Sequence, residues 1–380
     1  MPLTIAYDAK RAFHNSRGLG NYSRDVIRLM AKYYPDAQIV LAGDPKGSIM
    51  QVPQNAKIVK PNALWRIAKS LWRSLGGMVT QLKQAKADIY HGLSQELPPG
   101  IFKTGIKTVV TFHDALFVRY PQNYPWLYRH VFTIKNKYAL RKADHIIAIT
   151  EQSKRDAIEF FGADPQKITV VYQGCNNQFR KPENREKDDE IRKKYGLPNR
   201  YLLQVGAIEP NKNLQTILHA FAYLLNELKE DALCDLKLVA VGRKSKYALT
   251  MSNLAQQLGI EDRLVFCHEV DFIDLPAFYR GSEMFLFPSF FEGFGIPIIE
   301  AQCCGTPVIT SKGGCFGETA GEGALFVEPD NPQKMAEAIG SVLKNRDLRD
   351  NLIKKGKDNT LRFTDDIVAR NIMAVYKKLL

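Results

Sequence analysis

Cysteine is missing from the first 174 residues, and all six cysteines (Cys175, Cys234, Cys267, Cys303, Cys304 and Cys315) come later in the chain. None has CxxC or Cys/His zinc spacing, and the adjacency of Cys303 and Cys304 argues against a disulfide framework. A reducing, cytoplasmic setting is the expectation. No apolar run approaches the ~20 residues that span a bilayer. The opening Met1–Asp8 reads as a first strand and not as a secretory leader. Internal repeats, low-complexity segments and an Asp-x-Asp motif are also missing, so repeat architectures find no support. The first half is short of acidic residues. Residues 1–180 hold 26 Lys+Arg against 12 Asp+Glu, whereas residues 181–380 hold 27 against 28, which together make the net +13.

A positive excess confined to one half calls for an anionic partner there: a phosphorylated lipid, a membrane surface or nucleic acid. At 380 residues, with 45% hydrophobic and 24% charged residues, the composition is globular and the length suits two domains. Hydrophobic strands alternate with helical patterns throughout, as in doubly wound parallel sheets.

The most informative stretch follows the apolar run Met284–Phe287. Phe291-Glu292-Gly293-Phe294-Gly295-Ile296-Pro297-Ile298-Ile299-Glu300 reads as a glycine turn opening a short helix, with Pro297 in the first turn and Gly305 as the stop. A strand, a glycine turn and a helix N-terminus form an anion site. Glu292 and Glu300 flank it, so phosphate on the amides and a carboxylate on a sugar diol would suit a nucleotide-sugar. An ordinary strand–helix turn with surface acids is the other reading.

In the first half, Gly18-Leu19-Gly20 precedes a helix from Ser23 to Tyr34. Ser23 stands where a dinucleotide fingerprint wants its third glycine, which argues against NAD. Trp65, Ala68, Trp72 and Leu75 share a face of a basic helix, readable either as a core stripe or as a membrane-interface element. His91 and His113 both end buried strands, where functional groups gather in open α/β sheets, although a structural role suits either. Asp114 can orient its neighbour, and Leu116–Tyr128 reads as an exposed aromatic loop suited to an acceptor. Gln173–Arg200 reads as a polar hinge. Beyond it, Leu202–Gly206 is a strand, Asn211 or Asn213 caps the next helix, and Lys212 stands at that helix's mouth. Arg243 follows the glycine that ends the next strand.

With these residues in view, the chain resembles the large retaining glycosyltransferase family GT4, of GT-B fold. The resemblance rests on Ser289–Glu300 (an E-x7-E motif), Gly18–Tyr22, His113-Asp114, Val205–Asn213 and Gly305–Ile309. It implies two Rossmann-like α/β domains facing a central cleft: an acceptor-side domain, 1–178, with helix 364–380 packing back onto it, and a nucleotide-sugar domain, 186–363. It implies that Glu300 holds the ribose and Glu292 the donor sugar, and that amides from Gly293 and Phe294 through Gly295 to Ile296 meet sugar or diphosphate. Lys212 then neutralises the leaving diphosphate, with His113 close to the sugar. Gly18 and Gly20 let substrate approach the first domain, beside Asp114. The family commonly pairs the Lys with an Arg, but Ala207 and Asn211 occupy those places, so Arg243 is the candidate substitute.

The function implied is metal-independent hexosyl transfer from a nucleotide-diphosphate sugar, persisting in EDTA, to a glycan or lipid-diphosphate-linked acceptor. The likeness is greatest to mannosyltransferases of surface-polysaccharide assembly, which points to GDP-mannose. A peripheral contact with an anionic membrane surface would use the basic half. A GT-B epimerase or phosphorylase is the alternative within enzymes. A nucleic-acid-binding protein is the alternative outside them, and nucleic acid is not expected as a partner because no nucleic-acid module accompanies the charge.

Overall fold

The computed structural model describes residues 2–61, 72, 73, 76–228 and 233–380. Most of the tryptophan-bearing helix expected at 64–75 therefore lies outside the described residues. Trp72 itself is buried, and its indole N–H donates to Gln81 Oε1 at 2.8 Å.

The chain divides into two compact units, Met1–Gly174 with Thr364–Leu380, and Cys175–Phe363. The sequence reading puts the boundary between 178 and 186. The polar stretch read as a hinge is in fact structured. It holds a 3-10 turn at Asn177–Arg180 and a helix at Arg185–Tyr195, capped by the Asn184 side chain and stopped by left-handed Gly196. Its polarity is that of a surface helix with one buried residue, Ile191.

The first unit is built on β1 (Thr4–Asp8), β2 (Gln38–Ala42), β3 (Ala56–Val59), β4 (Ile89–Gly92), β5 (Lys107–Phe112), β6 (His145–Ala148) and β7 (Ile168–Val170). All pairings are parallel, in the order β3-β2-β1-β4-β5-β6-β7. β4 and β6 are buried at every position, with no alternation, because helices cover both sides of the sheet. The order reverses between β1 and β4, which places a ligand crevice at their carboxyl ends.

After β1 and a short helix at Lys10–His14, the helix expected from Ser23 starts at Gly18, five residues earlier, so both glycines lie in its first turn. A Cβ on Gly20 would sit 1.7 Å from the Asn15 carbonyl oxygen, so the close approach is made by the chain itself. Gly18 has no neighbour within 4 Å of such a Cβ. The expected loop at Leu116–Tyr128 is mostly helical. It comprises Leu116–Arg119, a 3-10 turn at Pro121–Asn123, and the first turn of a helix running Trp126–Lys142. Asp365–Lys377 packs on the Gly18–Tyr33 helix, where Arg28 donates to both oxygens of buried Asp365 at 2.8 and 3.0 Å.

The second unit holds β8 (Arg200–Val205), β9 (Leu236–Val241), β10 (Leu264–Cys267), β11 (Met284–Phe287), β12 (Val308–Ser311) and β13 (Ala324–Val327). They are parallel in the order β10-β9-β8-β11-β12-β13, which reverses between β8 and β11. Leu202, Leu238, Met284, Leu286 and Ile309 from these strands pack with helices Leu214–Leu228 and Pro332–Lys344 in one apolar core.

Candidate active site

At the carboxyl edge of the second sheet, β8 and β11 lie side by side with the crevice of the strand reversal above them. The loop leaving β8 carries Lys212, and the loop leaving β11 carries Glu292. They form an ion pair, Lys212 Nζ to Glu292 Oε1, with both side chains mostly buried. The Lys212 ammonium also lies 5.4 Å from the centre of the Phe287 ring.

Asn213, in the left-handed conformation at φ 58°, locks this arrangement. Its amide donates to Pro288 O at 3.0 Å and Pro329 O at 2.5 Å, tying the loop after β8 to the one after β11. The backbone agrees, because Phe290 N–H donates to Asn211 O at 3.0 Å.

The helix after β11 is short, Ile296–Cys303, with Pro297 in its first turn. Gly295 precedes it at φ 94°, a conformation costly to any residue with a Cβ. No side chain caps the helix; Pro297 has no N–H and the Ile298 N–H donates to Gly295 O at 3.0 Å, so this terminus offers an anion the Ile296 N–H and the positive dipole end. The Gly293-Phe294 turn is fastened from behind, where Thr319 Oγ1 donates to Phe294 O at 2.6 Å. Cys315 Sγ lies 3.3 Å from both Glu292 O and Phe294 O.

Glu300 lies one turn into that helix, only 6% exposed, and accepts a hydrogen bond from Tyr279 Oη at 2.9 Å. Burial pushes its carboxyl up to about 7, with the tyrosine hydrogen bond acting against the rise. Arg243 is exposed, in the loop after β9, one strand from Lys212. That loop is tied to the one after β8 by Ser245 Oγ donating to Ile208 O at 2.8 Å.

Two family models account for both halves. "Glycosyl transferases group 1" matches residues 187–359, the unit just described, and "Glycosyltransferase Family 4" matches residues 16–179. The chain belongs to glycosyltransferase family 4. Among relatives of this glycosyltransferase, the O-antigen chain mannosyltransferase RfbU of Salmonella typhimurium is 30% identical over 233 residues, 61% of this chain and 60% of that protein. The O-antigen chain mannosyltransferase B of Escherichia coli is 25% identical over 299 residues, 78% of this chain and 76% of that one. HepE of Anabaena, solved in complex with UDP-glucose, superposes over the full length of both chains with a TM-score of 0.74 at 17% identity, a likeness of fold. That fold is GT-B.

The glycosyltransferase's other expected residues cluster in the first unit, around a cavity of about 210 Å³ lined by Arg11, Leu19, Gln95, His113, Asp114 and Tyr128 among others. His113 is buried, and its Nε2–H donates to Leu93 O at 2.8 Å, which leaves Nδ1 as the acceptor of a neutral ring. Burial lowers its pKa to about 4, so the ring is uncharged at neutral pH. Tyr22 packs against it edge-on, with ring centres 4.7 Å apart. Gly18 and Gly20 open the helix that carries Leu19 to this cavity, with no side chain capping its N-terminus.

Residues to which the sequence reading gave no part in binding complete both sites. Tyr279 holds Glu300, and Asn213 joins two loops. Gln95 is held at φ 62° beside the cavity, its amide donating to Asp114 O at 2.9 Å. Only Asn213, next to Lys212, gave a local signal, as a helix cap, and its Oδ1 does accept from Thr216 N–H at 3.4 Å at the start of the Leu214–Leu228 helix. Among the described residues, no group of three or more His, Cys, Asp or Glu could hold a metal ion.

Proposed function

We propose that this chain is a retaining hexosyltransferase that moves mannose from GDP-mannose to a glycan or lipid-diphosphate-linked glycan in cell-surface polysaccharide synthesis. The observation that carries the donor half is Lys212 against Glu292 beside the N-terminus of the Ile296–Cys303 helix, which no side chain caps. When the bond from the anomeric carbon to the diphosphate breaks, its electron pair goes to the phosphate oxygen. An ammonium and a helix N-terminus are suited to receive that charge. Glu292 then has two roles: holding Lys212 in place before the donor enters, and accepting from sugar hydroxyls afterwards. Retention follows if the acceptor oxygen attacks from the face the diphosphate leaves, passing its proton to a phosphate oxygen. No side chain is assigned as nucleophile.

The acceptor half is supported by the cavity beside His113. Tyr124, Tyr128 and Phe132 stack there in a ladder, with ring centres 5.5 and 4.1 Å apart, a surface suited to sugar faces. Arg11 and the Gly18 helix end are suited to an anionic group, and Nδ1 of His113 to a hydroxyl donor. Mannose and the glycan setting are drawn from the two O-antigen relatives; UDP-glucose is the competing donor, drawn from HepE.

The test is release of nucleoside diphosphate from a donor panel, with and without a lipid-diphosphate-linked glycan. GDP appearing from GDP-mannose only when acceptor is present supports the reading. Conversion of the donor sugar without acceptor would replace it with an epimerase.

A further inference from the structure

The helix Trp126–Lys142 has an apolar face turned inward and a second one turned outward. Asn136, Ala139 and Leu140 are buried against the first unit. On the opposite side Leu127, Val131 and Ile134, at i, i+4 and i+7, form a continuous exposed apolar line, Leu127 at 64% and Ile134 at 56% exposure. Trp126, 68% exposed, lies beside the start of the line and stacks on His130 with ring centres 5.6 Å apart. A helix of a soluble domain ordinarily carries charges along such a face.

The charges are there, but they are all of one sign. The seventeen residues contain five cations (Arg129, Lys135, Lys137, Arg141 and Lys142) and no Asp or Glu. By helical position, Lys137 and Arg141 lie along one side of the apolar line, and Lys135 and Lys142 along the other. Near the far end, Phe102 is also exposed, with the ammonium groups of Lys103 and Lys142 at 6.0 and 5.5 Å from its ring centre. A narrow apolar line with a leading Trp and flanking long cations is the pattern of a helix lying in the headgroup layer, apolar side chains down and ammonium groups at the phosphates. A protein partner covering the same face would have to supply an apolar groove walled by acids on both sides. An anionic bilayer supplies both without a specific fit. No helix among the described residues is long and apolar enough to cross a membrane.

We infer that the outer face of the Trp126–Lys142 helix docks the protein onto an anionic lipid bilayer. The same helix carries Tyr128, Phe132 and Lys135 on the cavity wall, so docking brings that cavity to the height of lipid headgroups. The docking itself rests on the exposed face and not on the proposed transfer chemistry. Only its use in presenting a lipid-linked acceptor depends on that chemistry.

The test is co-sedimentation of the full chain, without any sugar donor, with vesicles of phosphatidylcholine alone or mixed with phosphatidylglycerol. Binding to the mixed vesicles only, weakened by salt, is expected. Losing two flanking cations in Lys137→Gln/Arg141→Gln should weaken it about thirty-fold. Leu127→Gln/Ile134→Gln should weaken it at least about tenfold, with both variants melting like the parent. The inference is overturned by equal sedimentation with neutral vesicles, by variants that bind like the parent, or by no vesicle binding at all. It is also overturned if the Leu127/Ile134 change converts a dimer to monomers without altering vesicle binding. None of these outcomes depends on whether donor turnover is seen.

Discussion

Lys212 and Glu292 neutralise each other before any ligand arrives, so donor binding must share or displace that pair. If the ammonium's main work is on the departing diphosphate, Lys212→Ala lowers kcat about 10²–10³-fold, and because it leaves Glu292 mostly buried and unpaired it lowers the melting temperature as well. Steady-state kinetics with a saturating donor measures this. Arg243→Ala loses turnover well beyond the effect of exposed Arg185→Ala if Arg243 supplies the second cation; equal, minor losses remove it from the site. Glu300 gives a pH signature. Its carboxyl titrates at about 7, and only the carboxylate can accept from two ribose hydroxyls at once. Affinity for a nucleotide-sugar, whose diphosphate does not titrate in this range, should therefore fall as pH drops through about 7. Titration calorimetry on Glu300→Gln should show weaker binding with that slope gone, and an unchanged slope would assign it to another group.

At the scale of elements, the C-terminal helix is held to the first sheet by polar contacts as well as by packing. Tyr376 Oη lies 2.6 Å from His91 Nδ1 and 3.2 Å from Tyr7 Oη, all fully buried. Tyr376→Phe leaves the His91 nitrogen without this partner, which costs about 1–3 kcal/mol; urea unfolding measures it. This contact joins residues 285 positions apart, and no local pattern announces it. Local patterns did announce the turn at Gly295 and the helix of Pro297, because a positive φ and a fixed φ are properties of single residues. They misplaced the start of the Gly18 helix. Glycines are poor helix formers, so the pattern moved its start to Ser23, whereas Asn15 leaves room at position 20 for nothing larger. The Leu116–Tyr128 segment was misread for a related reason: its prolines sit at helix starts, not in a loop. The pairing of Lys212 with Glu292 spans eighty positions and exists only because β8 and β11 are neighbours.

Across the whole molecule, the two units carry buried titrating groups of opposite effect. His91 and His113 lie in the first unit, and burial lowers them to about 3 and about 4. The unfolded chain takes up their protons near the ordinary value of about 6.5, before the native state does, so the first unit loses stability as pH falls below that point. Glu300, in the second unit, is raised to about 7 from an ordinary 4.5, so its contribution is present at low pH and is lost as pH rises through about 7. Acid should thus loosen the first unit ahead of the second. All three tryptophans, Trp65, Trp72 and Trp126, lie in the first unit, so tryptophan fluorescence reports it selectively. Between about pH 7 and pH 5, the fluorescence-detected midpoint should drop more than the far-ultraviolet one, and coincident midpoints would count against this division.

The central claim is that the second unit binds a nucleotide-diphosphate sugar through Lys212, Glu292 and the helix that contains Glu300. A thermal-shift panel of nucleotide-sugars on the full chain tests it most directly, because a ligand at a hundred times its Kd stabilises the protein that binds it by about 2.7 kcal/mol. The account predicts a clear upward shift with at least one of them, GDP-mannose first, and a much smaller shift in Lys212→Ala. A melting temperature that no nucleotide-sugar moves would contradict it.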